Sequence, residues 1–220
     1  MSICAYPTRV IQSVPPLFCG VRFYARDPWR SFIGFVMVCL ASFVRSFPSV
    51  AFSGSRVRGS SASVSCRAFL PVLGSFSGVV AVGCASGVDS LVRSAFPHCS
   101  VFRVSSFAAH GRVSRASFAL RSSALVHSCA SSGGLLVAFP LGACPAGVRV
   151  SSVFGGCGSG SWGSVALAVG LGSSVLVVSP AGVSSAWFGA LASSFRCVGS
   201  APCGGLLWLS VTAPVQLSLF

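Results

Sequence analysis

Gly78 to Phe96 reads GVVAVGCASGVDSLVRSAF: an apolar run, a glycine-rich loop, then a segment with helical character. A run that is apolar at every position, rather than at alternate ones, is a strand covered on both faces, as in a parallel sheet. The same succession recurs on either side of it. SVAFSGSR (49–56) reads as a buried strand ending in a glycine turn, SVFRV (100–104) as a third strand, GLLVAFP (134–140) as a fourth and SSVLVVSP (173–180) as a fifth. Helices are expected between them. In 111–130, Val113, Ala116, Leu120 and Ala124 share one helical face, and 161–172 is a helix stopped by glycine. Strands alternating with helices give a doubly wound α/β domain over 48–182. Residues 1–47 form an N-terminal extension without a clear period. Residues 183–220 form a C-terminal segment expected to pack on the same domain, with a helix in SAWFGALASSF and a last strand in GGLLWLSV.

Hydrophobic residues make up 53% of the chain and charged residues 8%, values nearer to membrane proteins than to ordinary domains. What is missing explains much of this. Lys, Asn and Glu do not occur, and Asp, Gln, Thr, Tyr, Ile, His and Met together supply 16 of 220 residues. All are encoded by triplets with adenine in the first or second position, so the gene is depleted in adenine on its coding strand. The net charge of +13 therefore points only modestly to a polyanion, because Arg is the one strong base such a gene retains. The 11 cysteines are scattered singly with no C-x-x-C, which argues against structural zinc and against a secreted disulfide scaffold. In a reducing cytoplasm they act as small hydrophobes, and the chain is read as cytoplasmic.

Two segments test that placement. SFIGFVMVCLASFV (31–44) is 14 residues long, short of a span. As a signal core, with Ser49-Val50-Ala51 as cleavage site, it would follow an overlong basic region, and cleavage would cut the first strand. Met37 is an alternative start. The uncharged tract 150–195 would be flagged by a hydropathy window, but Gly-Leu-Gly-Ser-Ser breaks it into helix, turn and strand. A membrane reading remains only as the minority alternative.

Gly158-Ser159-Gly160-Ser161-Trp162-Gly163 has the spacing G-x-G-x-x-G and opens the helix 161–172. A nicotinamide site needs a strand before it, for which VRVSSVF is the candidate, and an acid about 20 residues on for the ribose hydroxyls. No acid follows Asp89, so the dinucleotide reading fails. A phosphate could still meet free amides and the positive end of the helix dipole there, with Ser159 and Ser161 adding hydroxyls. A tight turn capped by serine is the plain structural alternative. In a doubly wound sheet the loops Ser53–Arg56, Gly83–Asp89 and Gly158–Trp162 all fall at the carboxyl edge of the strands, where ligands bind.

The order of VAFSGSR, VVAVGCASGVDSLVRSAF, FALRSSALVHSCASSGGLLVAFP and GSGSWGSVALAVGLGSSVLVVSP resembles the SLOG group of Rossmann-like proteins. That group includes the DNA-processing protein A (DprA/Smf) family and the Lonely Guy-type phosphoribohydrolases, and the resemblance covers about 49–180. It implies a Rossmann-like three-layer sandwich with a mostly parallel central sheet. It also implies a ligand or phosphate site made from Gly54, Ser55 and Arg56, from Gly83, Gly87, Val88 and Asp89, from Arg121 with Arg115 as second candidate, and from Gly158 to Ser161, that is Gly158, Ser159, Gly160 and Ser161. In DprA-like relatives this rim is a basic pocket for single-stranded DNA, and in other branches it holds a nucleotide or nucleotide-derived signal. Asp89, one of two acids in the chain, is expected to accept amide hydrogen bonds at the start of its helix, with contact to a ligand ribose or base as the alternative.

The phosphoribohydrolase branch uses a Thr and a Glu after its glycine loop, where this chain has Trp162-Gly163-Ser164-Val165 and no Glu anywhere. Paired-carboxylate hydrolysis is therefore disfavoured. His98, His110 and His127 are isolated and form no nucleophile constellation. The reading is a nucleotide- or single-stranded-nucleic-acid-binding protein of DprA-like type, with DNA processing or recombination mediation as the implied role. It needs no cofactor and no metal, and its fold is compatible with a homo-oligomer. A nucleotide sensor or nucleotide-processing enzyme is the alternative, and a reading frame opened by adenine depletion without function is the third.

Overall fold

Phe52, Val82, Val137 and Val177 stand inside four different strands, and each is fully buried, as runs apolar at every position require. The computed structural model describes residues 39–210. Met37, Cys4, Cys19, most of the 31–44 run and the apolar C-terminus lie outside the described residues. The described residues open with helix α1 at 39–45, then β1 Ser49–Gly54, α2 Ser61–Phe69, β2 Val79–Gly83, α3 Val88–Ala95 and β3 Ser100–Phe102. It continues with α4 Arg115–Ser131, β4 Leu135–Phe139, α5 Gly160–Gly170, β5 Ser174–Ser179, a 3₁₀ segment Ser185–Ser194, β6 Arg196–Ser200 and β7 Leu206–Ser210.

The seven strands form one sheet in the order β3-β2-β1-β4-β5-β7-β6. The first five are parallel, while β7 runs antiparallel to both β5 and β6. With helices on both faces this is the expected Rossmann-like three-layer sandwich. The order reverses at β1: β1 pairs with β2 on one side and β4 on the other, which opens a crevice at their carboxyl ends.

The two-residue period of the strands divides the core. Val50, Phe52, Leu135, Val137 and Phe139 face a cluster with α1, α2 and α3, where Phe52 stacks on Phe139 at 6.4 Å and Phe69 meets Phe139 edge-on at 5.7 Å. Ala51, Leu136 and Ala138 face α4 and α5, where Trp162, Trp187, Phe188 and Trp208 form an aromatic group. Ser161 through Ala168 are buried without interruption, so α5 is apolar all round because protein covers it on every side. Among the described residues, no helix is long and apolar enough to cross a membrane.

Several expectations need correction. The segment VRVSSVF is a loop: both neighbours of β4 are already taken, and the Ser151 amide donates instead to Ala166 in α5 at 3.4 Å. On α4 the buried positions are Ser117, Arg121, Ser122, Leu125, Val126 and Cys129, while Val113, Ala116 and Leu120 are exposed and Ala124 is half-buried. The helix is rotated because Arg121 has a partner inside. SAWFGALASSF is 3₁₀ and kinked at Gly189, where φ is 54°. The extension ends earlier than residue 47, since Leu40 and Val44 of α1 are buried in the core. Ala51, the suggested cleavage position, is fully buried in β1.

Serine caps these helices. Ser60, Ser114 and Ser159 each accept a first-turn amide, and at α4 Ser117 returns a bond to the Ser114 amide, completing a capping box without the usual acid. Ser114→Ala is expected to lower stability by about 1 kcal/mol, read from the urea midpoint.

Candidate functional site

The β1 strand ends at Gly54, where a Cβ would stand 2.6 Å from the Val88 side chain. That close approach draws the α3 start against the β1 loop. The Val88 amide donates to the Ser55 carbonyl at 3.0 Å, the Ser55 amide donates to the Phe139 carbonyl at 3.2 Å, and Ser86 Oγ donates to the Arg56 carbonyl at 2.7 Å. Gly87 has φ 68° and packs on the Ser55 and Arg56 backbone, so a side chain there would be strained and crowded. These bonds fix the loops after β1 and β2 to each other and to the end of β4.

Between them lies a cleft of about 480 Å³ lined by Gly54 to Arg56, Asp89, Arg121 and Gly158 to Trp162. The loops expected to share one rim therefore do so. A second groove, about 540 Å³, shares Arg56, Ser122 and Gly158 to Gly160 with the first and is walled by Arg115, Phe118 and Phe154. Gly83, Gly87 and Val88 do not line either one. Val88 is fully buried in the core, and the two glycines shape the backbone behind the cleft.

The floor of the cleft is an ion pair. Arg121 Nη1 donates to Asp89 Oδ2 at 3.2 Å, and both side chains are about 95% buried, at 6% and 5% exposure. Asp89 Oδ2 also accepts the Ala85 amide at 3.1 Å, which lies ahead of α3 rather than in its first turn. Arg93 holds the same loop by donating to the Gly83 and Ala85 carbonyls at 2.6 and 3.0 Å. Burial pushes the Asp89 carboxyl above the ordinary aspartate value, and Arg121, the Ala85 amide and Arg93 pull against it. Arg121 is thus tied first to Asp89. Its Nε is enclosed and has no hydrogen-bond partner among the described residues.

On the opposite wall, Ser159 caps α5 and accepts the Trp162 amide at 3.4 Å, while Trp162 Nε1 donates to the Gly142 carbonyl at 2.9 Å. The amides of Gly160 and Ser161 precede the intrahelical ladder and sit at the positive end of α5. Gly158 has φ 84°, which favours glycine in the approach to the cap. Arg56 lies 4.3 Å above the Phe118 ring and is exposed, so its charge stands on an aromatic face at the junction of the two grooves.

Three features of the candidate site escaped the sequence. Phe118 and Phe154 carry no role in the motifs that contain them, and Arg93 looks like a surface residue of α3 although its guanidinium braces the Gly83–Gly87 loop. Alternation of Arg115 and Phe118 one helical turn apart was the available signal. Asp89 is the sole acid among the described residues, and it is already committed to Arg121, so the cleft holds no free carboxylate for acid–base hydrolysis. The chemistry on offer is recognition of an anion with a flat apolar face.

No family model matches the chain, and no curated protein or solved structure matches it either.

Proposed function

We propose that the protein binds single-stranded nucleic acid at this rim, in the manner of the DprA-like proteins its motif order resembles. One observation carries the reading: the cleft at the sheet's switch point runs on past Arg56 into a groove with Arg115 and a half-buried ring, Phe118. Amides at the α5 N-terminus and guanidinium groups meet phosphates, and the aromatic faces of Phe118 and Phe154 take bases in stacking that is indifferent to sequence. The absence of exposed carboxylates among the described residues leaves no repulsion along the path.

The test is fluorescence anisotropy with a labelled oligothymidylate across a salt series. Affinity is expected to fall linearly in log–log form with salt. Arg56→Ala removes a charge-assisted contact of about 1.5–3 kcal/mol, which is roughly a tenfold to hundredfold loss of affinity. If the oligomer does not bind and only a mononucleotide raises the melting temperature, the single-strand reading falls and a nucleotide sensor takes its place.

A further inference from the structure

The charge of the described surface is concentrated. Of its nine exposed arginines, five (Arg56, Arg58, Arg103, Arg112 and Arg115) lie in the loops leaving the carboxyl edge of the parallel strands or at the helix start that follows. Arg56 and Arg115 belong to the grooves already described. Arg103 and Arg112 do not.

Their placement follows from the edge of the sheet. Phe102 pairs in register with Gly83, so Arg103 is the first residue past the rim on the outermost parallel strand. The Val104 amide donates to Cys84 Sγ at 3.2 Å, which ties this exit to the loop after β2. The chain then follows the rim through a 3₁₀ turn, Val104–Phe107, and a tight turn closed by the Ala109–Arg112 bridge, with His110 and Gly111 at φ 50° and 72°. Two residues later Ser114 caps α4, whose first residue is Arg115. A line of cations thus leads from the groove toward β3. Since β3 is two strands from β1, the line reaches about 10 Å beyond the cleft. On the other side of the cleft, Arg149 is turned to its own loop, donating to the Ala146 and Val148 carbonyls.

We infer that Arg103 and Arg112 form a second phosphate-contacting stretch along which a single strand leaves the cleft toward the β3 edge. This rests on the single-strand reading above and gives the bound strand a length and a direction. A short oligomer fills the cleft and groove alone, and a longer one also lies on the stretch.

The experiment compares oligothymidylates of about 4 and about 16 nucleotides on the full chain. Arg103→Ala with Arg112→Ala is expected to weaken the long oligomer and to lower its salt slope by about 1.4, at about 0.7 per lost phosphate contact, while the short one is unaffected. Arg56→Ala weakens both. Arg45→Ala with Arg196→Ala, two exposed arginines outside the rim loops, removes the same charge and leaves both affinities in place. Equal losses at both lengths, no loss at either, or the same loss from the Arg45 and Arg196 pair would each overturn the inference. If neither oligomer binds the unaltered protein, the single-strand reading itself falls and takes the stretch with it.

Discussion

Asp89→Ala is expected to cost about 3–5 kcal/mol of folding stability, the effect of leaving a buried guanidinium without its counter-charge. Arg121 is 6% exposed at its side chain, and its one charged partner among the described residues is the carboxylate that this substitution removes. The Ala85 amide would lose its acceptor in the same change. Burial already raises the Asp89 pKa, which means that the pair is held against a desolvation cost and is not a large net source of stability. The second arm follows from this: Asp89→Leu combined with Arg121→Met is expected to recover most of the loss, because two apolar side chains need no solvation. Urea denaturation of the two single variants and the double completes the cycle. Additive losses would show that the two groups do not act as a pair.

Gly83→Ala is expected to cost at least about 3 kcal/mol, although it adds a single methyl group. The methyl would occupy the space of Arg121 Nη1 and crowd Asp89 Oδ2, both of which lie over the end of β2. Backbone on one side and a packed ion pair on the other leave the guanidinium no course except to move away, and the pair breaks. The same substitution in the Asp89→Leu, Arg121→Met background is expected to be much milder, a strong non-additivity between contacting sites. A Gly83→Ala variant as stable as the unaltered protein would contradict the packing described.

Strands β1, β2, β4 and β5 were legible because short runs such as Val80–Val82 and Leu135–Phe139 are apolar at consecutive positions and bounded by turn residues, as doubly covered strands are. The convergence of three glycine loops followed from that topology. The orientation of α4 was not legible. Its residues are mostly Ala, Ser and Leu, so no polar face marks the outside, and the element's one buried charge finds its partner 32 residues away in α3. Strand β6 escaped for a different reason. Arg196 and Cys197 are exposed, and a register shift between Cys197 and Gly199 breaks the alternation that reveals an edge strand. In the site, arginine positions could be read from motif order, but the link through Phe118 between two grooves exists only in three dimensions.

The serine caps have a consequence for how few kinds of residue a fold requires. Asp, Asn and Glu ordinarily share the work of starting helices, yet here hydroxyls at Ser60, Ser114, Ser117 and Ser159 perform it. A neutral oxygen is enough wherever the demand is for one acceptor. It is not enough opposite Arg121, where the demand is for a full negative charge, and there the described chain keeps its single carboxylate. An alphabet stripped of most acids and amides can therefore write a doubly wound sheet, and the one carboxylate among the described residues lies at the floor of the candidate site.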